Sequence, residues 1–122
     1  MKAKVRTIHG HGKANEEYVI IDVNEDCNAN RLMLADTTYT SETTISNKTR
    51  HTFWFKAIDL KKGDVIVLYT GSGTDQSKSQ TNGTTIYYRY WGLKTAVWND
   101  DGDGAILFDI NTWSTKKVAD TK

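Results

Sequence analysis

Asp64-Val65-Ile66-Val67-Leu68-Tyr69-Thr70 is the most apolar run in the chain, and its reading decides the fold. Hydrophobic side chains occupy odd and even positions alike, so a strand here is apolar on both faces and belongs in the middle of a sheet. Lys61-Lys62-Gly63-Asp64 leads into it as a turn signal, and Gly71-Ser72-Gly73 closes it.

Outward from this run the hydrophobic period is two almost everywhere. Y-V-I-I-D-V-N at 18–24 puts Val19, Ile21 and Val23 on one face and Tyr18, Ile20 and Asp22 on the other. Residues 5–9 offer a short first strand, and residues 31–36 offer Leu32 and Leu34 to a core. Phe53 and Phe55 alternate against Trp54, and Ile58 and Leu60 pin a connection. I-Y-Y-R-Y-W at 86–91 reads as an aromatic strand, and residues 105–109 as another, leaving a sharp turn at 99–104. Residues 113–118 suggest a last edge strand before a polar tail over 114–122. Residues 37–50 read as a long exposed loop or an edge strand. Residues 71–85 hold no hydrophobic side chain and read as a structureless loop.

No helical period, internal repeat or linker interrupts this pattern. The 122 residues therefore predict one domain over 1–122, all-β, an immunoglobulin-like two-sheet sandwich of seven to nine short antiparallel or mixed strands. A β-barrel is the structural alternative. The frequent Thr, Tyr and Trp and the absence of proline agree with a sheet protein.

Composition narrows the function classes. Sixteen basic against fifteen acidic residues lack the basic excess that phosphate contacts require of a dedicated nucleic-acid binder. Cys27 is the only cysteine, so there is no intrachain disulfide and no metal site built on several thiolates. The N-terminus shows no apolar signal run and no stretch reaches the length of a membrane span. The expected location is cytoplasmic if the chain is complete, and extracellular if an upstream signal has been removed.

Three pieces of the chain resemble the lamin tail domain, a family of immunoglobulin-like sandwiches. They are E-Y-V-I-I-D-V-N at 17–24, K-K-G-D-V-I-V-L-Y-T-G-S-G at 61–73, and Trp91-Gly92 with Val97-Trp98-Asn99, Gly102-Asp103, Ile106-Leu107 and Asp109. In the family a Trp-Asn step enters a Gly-Asp turn, and the tryptophan is expected to plug the end of the sandwich. The likeness spans residues 17–109, about three-quarters of the chain. The family's Gly-Trp step in its third strand reads Arg31-Leu32 here, its proline-glycine turns lack their prolines, and residues 37–50 and 71–85 match none of its patterns. The resemblance implies a stand-alone bacterial-type member: a non-enzymatic adaptor contacting proteins and, in some members, DNA.

Several constellations carry chemistry. Asn99, Asp101 and Asp103 alternate before glycines as the start of a calcium loop does. The twelfth position, where an EF-hand needs a bidentate Glu, is Ile110, so a hairpin turn is the competing reading. His9 and His11 could share a strand face as metal ligands, although no supporting carboxylate or cysteine is spaced for it. No serine occupies a Gly-x-Ser-x-Gly elbow, so no catalytic residues and no cofactor are expected, calcium apart.

Tyr87, Arg89 and Trp91 alternate with Ile86, Tyr88 and Tyr90, so one trio faces away from a core. The expected binding site is Tyr87, Arg89 and Trp91 with Asp75 and Asn82 of the neighbouring loop; cross-strand packing of these aromatics is the plain structural reading. The expected partner is a protein, with self-association possible; a carbohydrate- or nucleic-acid-binding sandwich using the same aromatics is the alternative.

Overall fold

The computed structural model describes residues 1–10, 12–46, 48–98 and 102–121. Among them are ten strands and two short 3₁₀ turns, Ala29–Arg31 and Val118–Thr121. The strands are β1 (Ala3–His9), β2 (Tyr18–Val23), β3 (Cys27–Asn28), β4 (Leu32–Thr38), β5 (Thr52–Trp54), β6 (Asp59–Leu60), β7 (Val65–Tyr69), β8 (Gln76–Ser79), β9 (Thr85–Tyr90) and β10 (Asp103–Asp109). The fold is all-β and sandwich-like.

A five-stranded sheet runs β1-β2-β7-β9-β8, a three-stranded sheet runs β10-β4-β5, and β3 pairs with β6 in a small third sheet. The larger sheet is mixed because β7 and β9 run parallel while its other neighbours are antiparallel. The apolar run that opened the reading is the middle strand, as its two-faced pattern requires. Val19, Ile21, Ile66 and Leu68 turn inward and meet Leu32 and Leu34 of the smaller sheet; each of these side chains is almost wholly buried. Full burial of such a side chain stabilises by about 1.5–3 kcal/mol, so this interleaved layer holds the two sheets together.

Three expectations about chain course need correction. Residues 71–85 are not structureless: β8 lies inside them, antiparallel to β9, and all four of its side chains are exposed. A strand that is polar on both faces leaves no hydrophobic period to read. Residues 113–118 form no strand, and the chain ends in the 3₁₀ turn at Val118–Thr121. The loop expected at residues 37–50 starts two residues later: Thr37 and Thr38 end β4, Thr37 is buried and donates to the Ser46 carbonyl at 2.9 Å, and the described residues 39–46 and 48–50 lie outside the strands.

One end of the sandwich is closed by a buried carboxylate. Glu17 is fully buried, and its Oε1 accepts from the backbone N–H groups of Val97 (2.5 Å) and Trp98 (3.3 Å). Trp98 is itself 3% exposed and belongs to the core cluster. Thr70 donates its N–H to the Glu17 carbonyl, and Leu93 donates to the Thr70 carbonyl. The opposite end is tied by Asp64, whose carboxylate accepts from Lys61 and Thr85 backbone N–H groups across the turn at Gly63.

Candidate functional site: the outer face of the large sheet

Registers decide which side of β9 looks outward. Tyr87 stands opposite Ile66 and Arg89 opposite Leu68, both core residues. Tyr87, Arg89 and Trp91 therefore point to the side of the core and are half-buried rather than an exposed ladder; Tyr87 and Arg89 still line an open depression of about 310 Å³ together with Asp75. Trp91 packs on Phe53 and Trp98 and donates its indole N–H to the Thr52 carbonyl at 3.1 Å. Arg89 lies 5.4 Å from the Tyr87 ring centroid, donates to the Gln76 and Tyr88 carbonyls, and approaches Asp75 at 3.8 Å. A guanidinium tolerates this inward position because one face lies toward the Tyr87 ring, one terminal nitrogen bonds two carbonyls and Nε approaches the Asp75 carboxylate. Asp75, Tyr87 and Arg89 thus meet, but as a knot at the β8 edge.

Asn82 sits apart from them in the turn between β8 and β9. Its side chain accepts from the Thr84 N–H and hydroxyl, so it shapes the β8–β9 turn.

The opposite side of the same sheet presents the aromatic surface. His9, Tyr18, Tyr69 and Tyr90 are paired across four strands in one continuous row. His9 stacks on Tyr18 with centroids 4.7 Å apart, and Tyr69 stacks on Tyr90 at 5.2 Å. The next row brings Ile20, Val67 and Tyr88 together, followed by Gln76 of β8. None of these side chains belongs to the core cluster; Val67 is buried at 9% exposure, and the others are half-buried or exposed. Arg6 pairs with Asp22 at one border and holds its carboxyl below the usual range, chiefly through their hydrogen bond.

Stacking has a chemical consequence. Rings that face one another spend their faces on each other and offer edges and hydroxyls to the outside. Burial raises the Tyr69 phenol, and the neighbouring phenols of Tyr90, Tyr18 and Tyr88 push it further in the same direction. The surface is thus a close row of phenols on apolar stems. The chain at Gly73 lies directly against the end of this row: a Cβ there would lie 2.3 Å from the Tyr90 ring.

Sequence reasoning missed this face because it weighed β9 alone. The alternation of β2, with Tyr18 and Ile20 opposite Val19 and Ile21, carried the signal.

Other candidate chemistry is placed as follows. Asn99 and Asp101, and with them most of the proposed calcium loop, lie outside the described residues, as does His11. Asp103 opens β10 opposite Thr38. Among the described residues no three His, Cys, Asp or Glu side chains cluster to hold a metal. Burial raises the Cys27 thiol, with Asp109 adding to the effect, so its thiolate is disfavoured. An open depression of about 730 Å³ has a described lining that includes Lys13, Asn15, Ser72 and Lys94 but no carboxylate, histidine or cysteine. No helix among the described residues is long and apolar enough to cross a membrane. No family model, curated protein or solved structure matches the chain.

Proposed function

We propose that the chain is a non-catalytic interaction module of the lamin tail type whose ligand is a protein, docked on the outer face of the β1-β2-β7-β9-β8 sheet. The observation that carries this reading is the phenol row of Tyr18, Tyr69 and Tyr90 beside Ile20, Val67 and Tyr88. Tyrosine supplies rigid contact area with a polar tip and little conformational entropy to lose, which is why it is enriched at protein interfaces. The charged border of Arg6 and Asp22 supplies the polar rim such an interface has.

The family assignment draws support from the way its three pieces converge. Glu17 of the first piece caps the backbone of Val97 and Trp98 of the third, while Thr70 of the second bonds the Glu17 carbonyl. Residues from each of the three pieces therefore meet at one end of the sandwich.

The test is capture from a lysate of the source cells by three immobilised proteins: wild type, Tyr18→Ser/Tyr90→Ser, and Trp113→Ala. Wild type and Trp113→Ala should retain the same partner, and the double variant should lose it by tenfold or more, as the removal of two interface anchors implies. Equal retention by all three would refute docking on this face.

A further inference from the structure

Two tryptophans stand out on the other sheet. Trp54 and Trp113 are 45% and 48% exposed, although most tryptophans are largely buried. They meet each other: the ring centroids lie 4.9 Å apart with planes at 87°. Trp54 points outward because Phe53 beside it points inward and packs on Phe55 and Trp91. Its indole N–H donates to the Asn30 carbonyl at 2.7 Å, which fixes the ring plane. Trp113 comes from the irregular segment after β10. The perpendicular rings form a corner, not a stack, so ring surface stays open to a ligand.

Planar polar groups lie beside this corner. Arg31, next to Asn30, donates from Nε to Asp109 at 3.0 Å and from a terminal nitrogen to Asn111 Oδ1 at 3.4 Å. Asn111 precedes Trp113 by two residues, and the intervening and following residues Thr112, Ser114 and Thr115 are all exposed. A protein hot spot is ringed by packed groups that exclude water. Here the accessible surroundings are hydroxyls, amides and a guanidinium.

The geometry points to a second binding site, at Trp54 and Trp113, for a glycan of β-linked, gluco-configured pyranoses. Such a sugar carries its hydroxyls equatorially, so its ring has a flat C–H face that lies on an indole. Its rim of hydroxyls requires donors and acceptors, and the Asn111 amide, the Arg31 guanidinium and the exposed hydroxyls of Thr112, Ser114 and Thr115 are the polar groups next to the two indoles along the chain. This inference is independent of the tyrosine face and uses the opposite sheet.

The experiment follows the four indole N–H signals of the intact chain by NMR during titration with cellopentaose and with chitopentaose. Trp54 and Trp113 should shift saturably with at least one of them, with half-saturation near or below about 1 mM, while Trp91 and Trp98 stay in place. Trp113→Ala, in an irregular segment where folding is not at stake, should weaken binding about tenfold, the scale of one lost aromatic contact. Trp54→Phe should retain part of the affinity, and Tyr90→Ser all of it. Absence of shifts with both sugars up to about 10 mM would overturn the proposal. So would undiminished binding by Trp113→Ala, or shifts of the same indoles by oligothymidylate and by neither sugar.

Discussion

Replacing Glu17 by alanine tests the closure of the sandwich end. The substitution removes a fully buried acceptor and strands the N–H groups of Val97 and Trp98. Each of the two hydrogen bonds contributes about 0.5–1.5 kcal/mol, and a buried donor left unpaired costs about 1–3 kcal/mol. With solvent or backbone relaxation recovering part of this, the net loss is about 3–5 kcal/mol. Unfolding entropy of roughly 2.1 cal/mol/K per residue makes 4 kcal/mol equal to a fall of about 15 °C in Tm for a chain of this length. Glu17→Gln keeps one carbonyl oxygen for the two N–H groups. It also puts an N–H donor where Glu17 Oε2 now lacks a partner. The glutamine variant should lose less than half as much. Urea unfolding followed by tryptophan fluorescence reads both values, because buried Trp98 reports on this end. An alanine variant within about 0.5 kcal/mol of wild type would refute the reasoning, since that is the scale of a neutral surface change.

Two further predictions concern backbone and ionisation. Gly63 and Gly83 both have positive φ (93° and 86°), but a Cβ at Gly63 would meet Thr84 Cγ2 at 2.9 Å whereas one at Gly83 meets nothing. Alanine should cost about 1–2 kcal/mol at either site for the backbone alone and measurably more at Gly63, as paired unfolding curves would show. The Tyr69 phenol is raised in the folded chain, chiefly by burial, so the native state holds its proton more tightly. Its contribution is fully present below the unfolded value of about 10 and is lost as pH rises through the folded value. Unfolding free energies between about pH 9 and 11 should fall more steeply for wild type than for Tyr69→Phe; parallel curves would contradict the assignment.

The legible parts of the fold were those with an internal hydrophobic pattern. β7 was read as central because it is flanked on both sides and apolar on both faces, and β2 because its alternation is clean. β8 was illegible because Gln76, Ser77, Lys78 and Ser79 are exposed on both faces, and only their pairing with β9 makes them a strand. Lys78 suits such an edge, where a charge opposes unwanted strand addition.

The site was half legible. The aromatic strand was found, but with aromatics on both faces its orientation depended on register with β7, which brings Arg89 against Leu68. An inward arginine runs against composition rules, and it is stable here because Asp75, the Tyr87 ring and two carbonyls surround it. Trp54 was already marked as opposite in phase to Phe53 and Phe55, whereas its meeting with Trp113 bridges 59 positions and has no local signal.

The most direct test of the interaction reading compares two neighbouring positions on opposite faces of one strand. A photo-crosslinking benzoylphenylalanine at Gln76 lies beside Tyr88 on the outer face, and at Ser77 beside Tyr87 on the other; both side chains are exposed, so neither disturbs packing. Illuminated in source-cell lysate, the Gln76 variant should yield a discrete heavier adduct with one protein, and the Ser77 variant should not. An adduct from Ser77 alone, or from neither position, would contradict a protein-binding outer face.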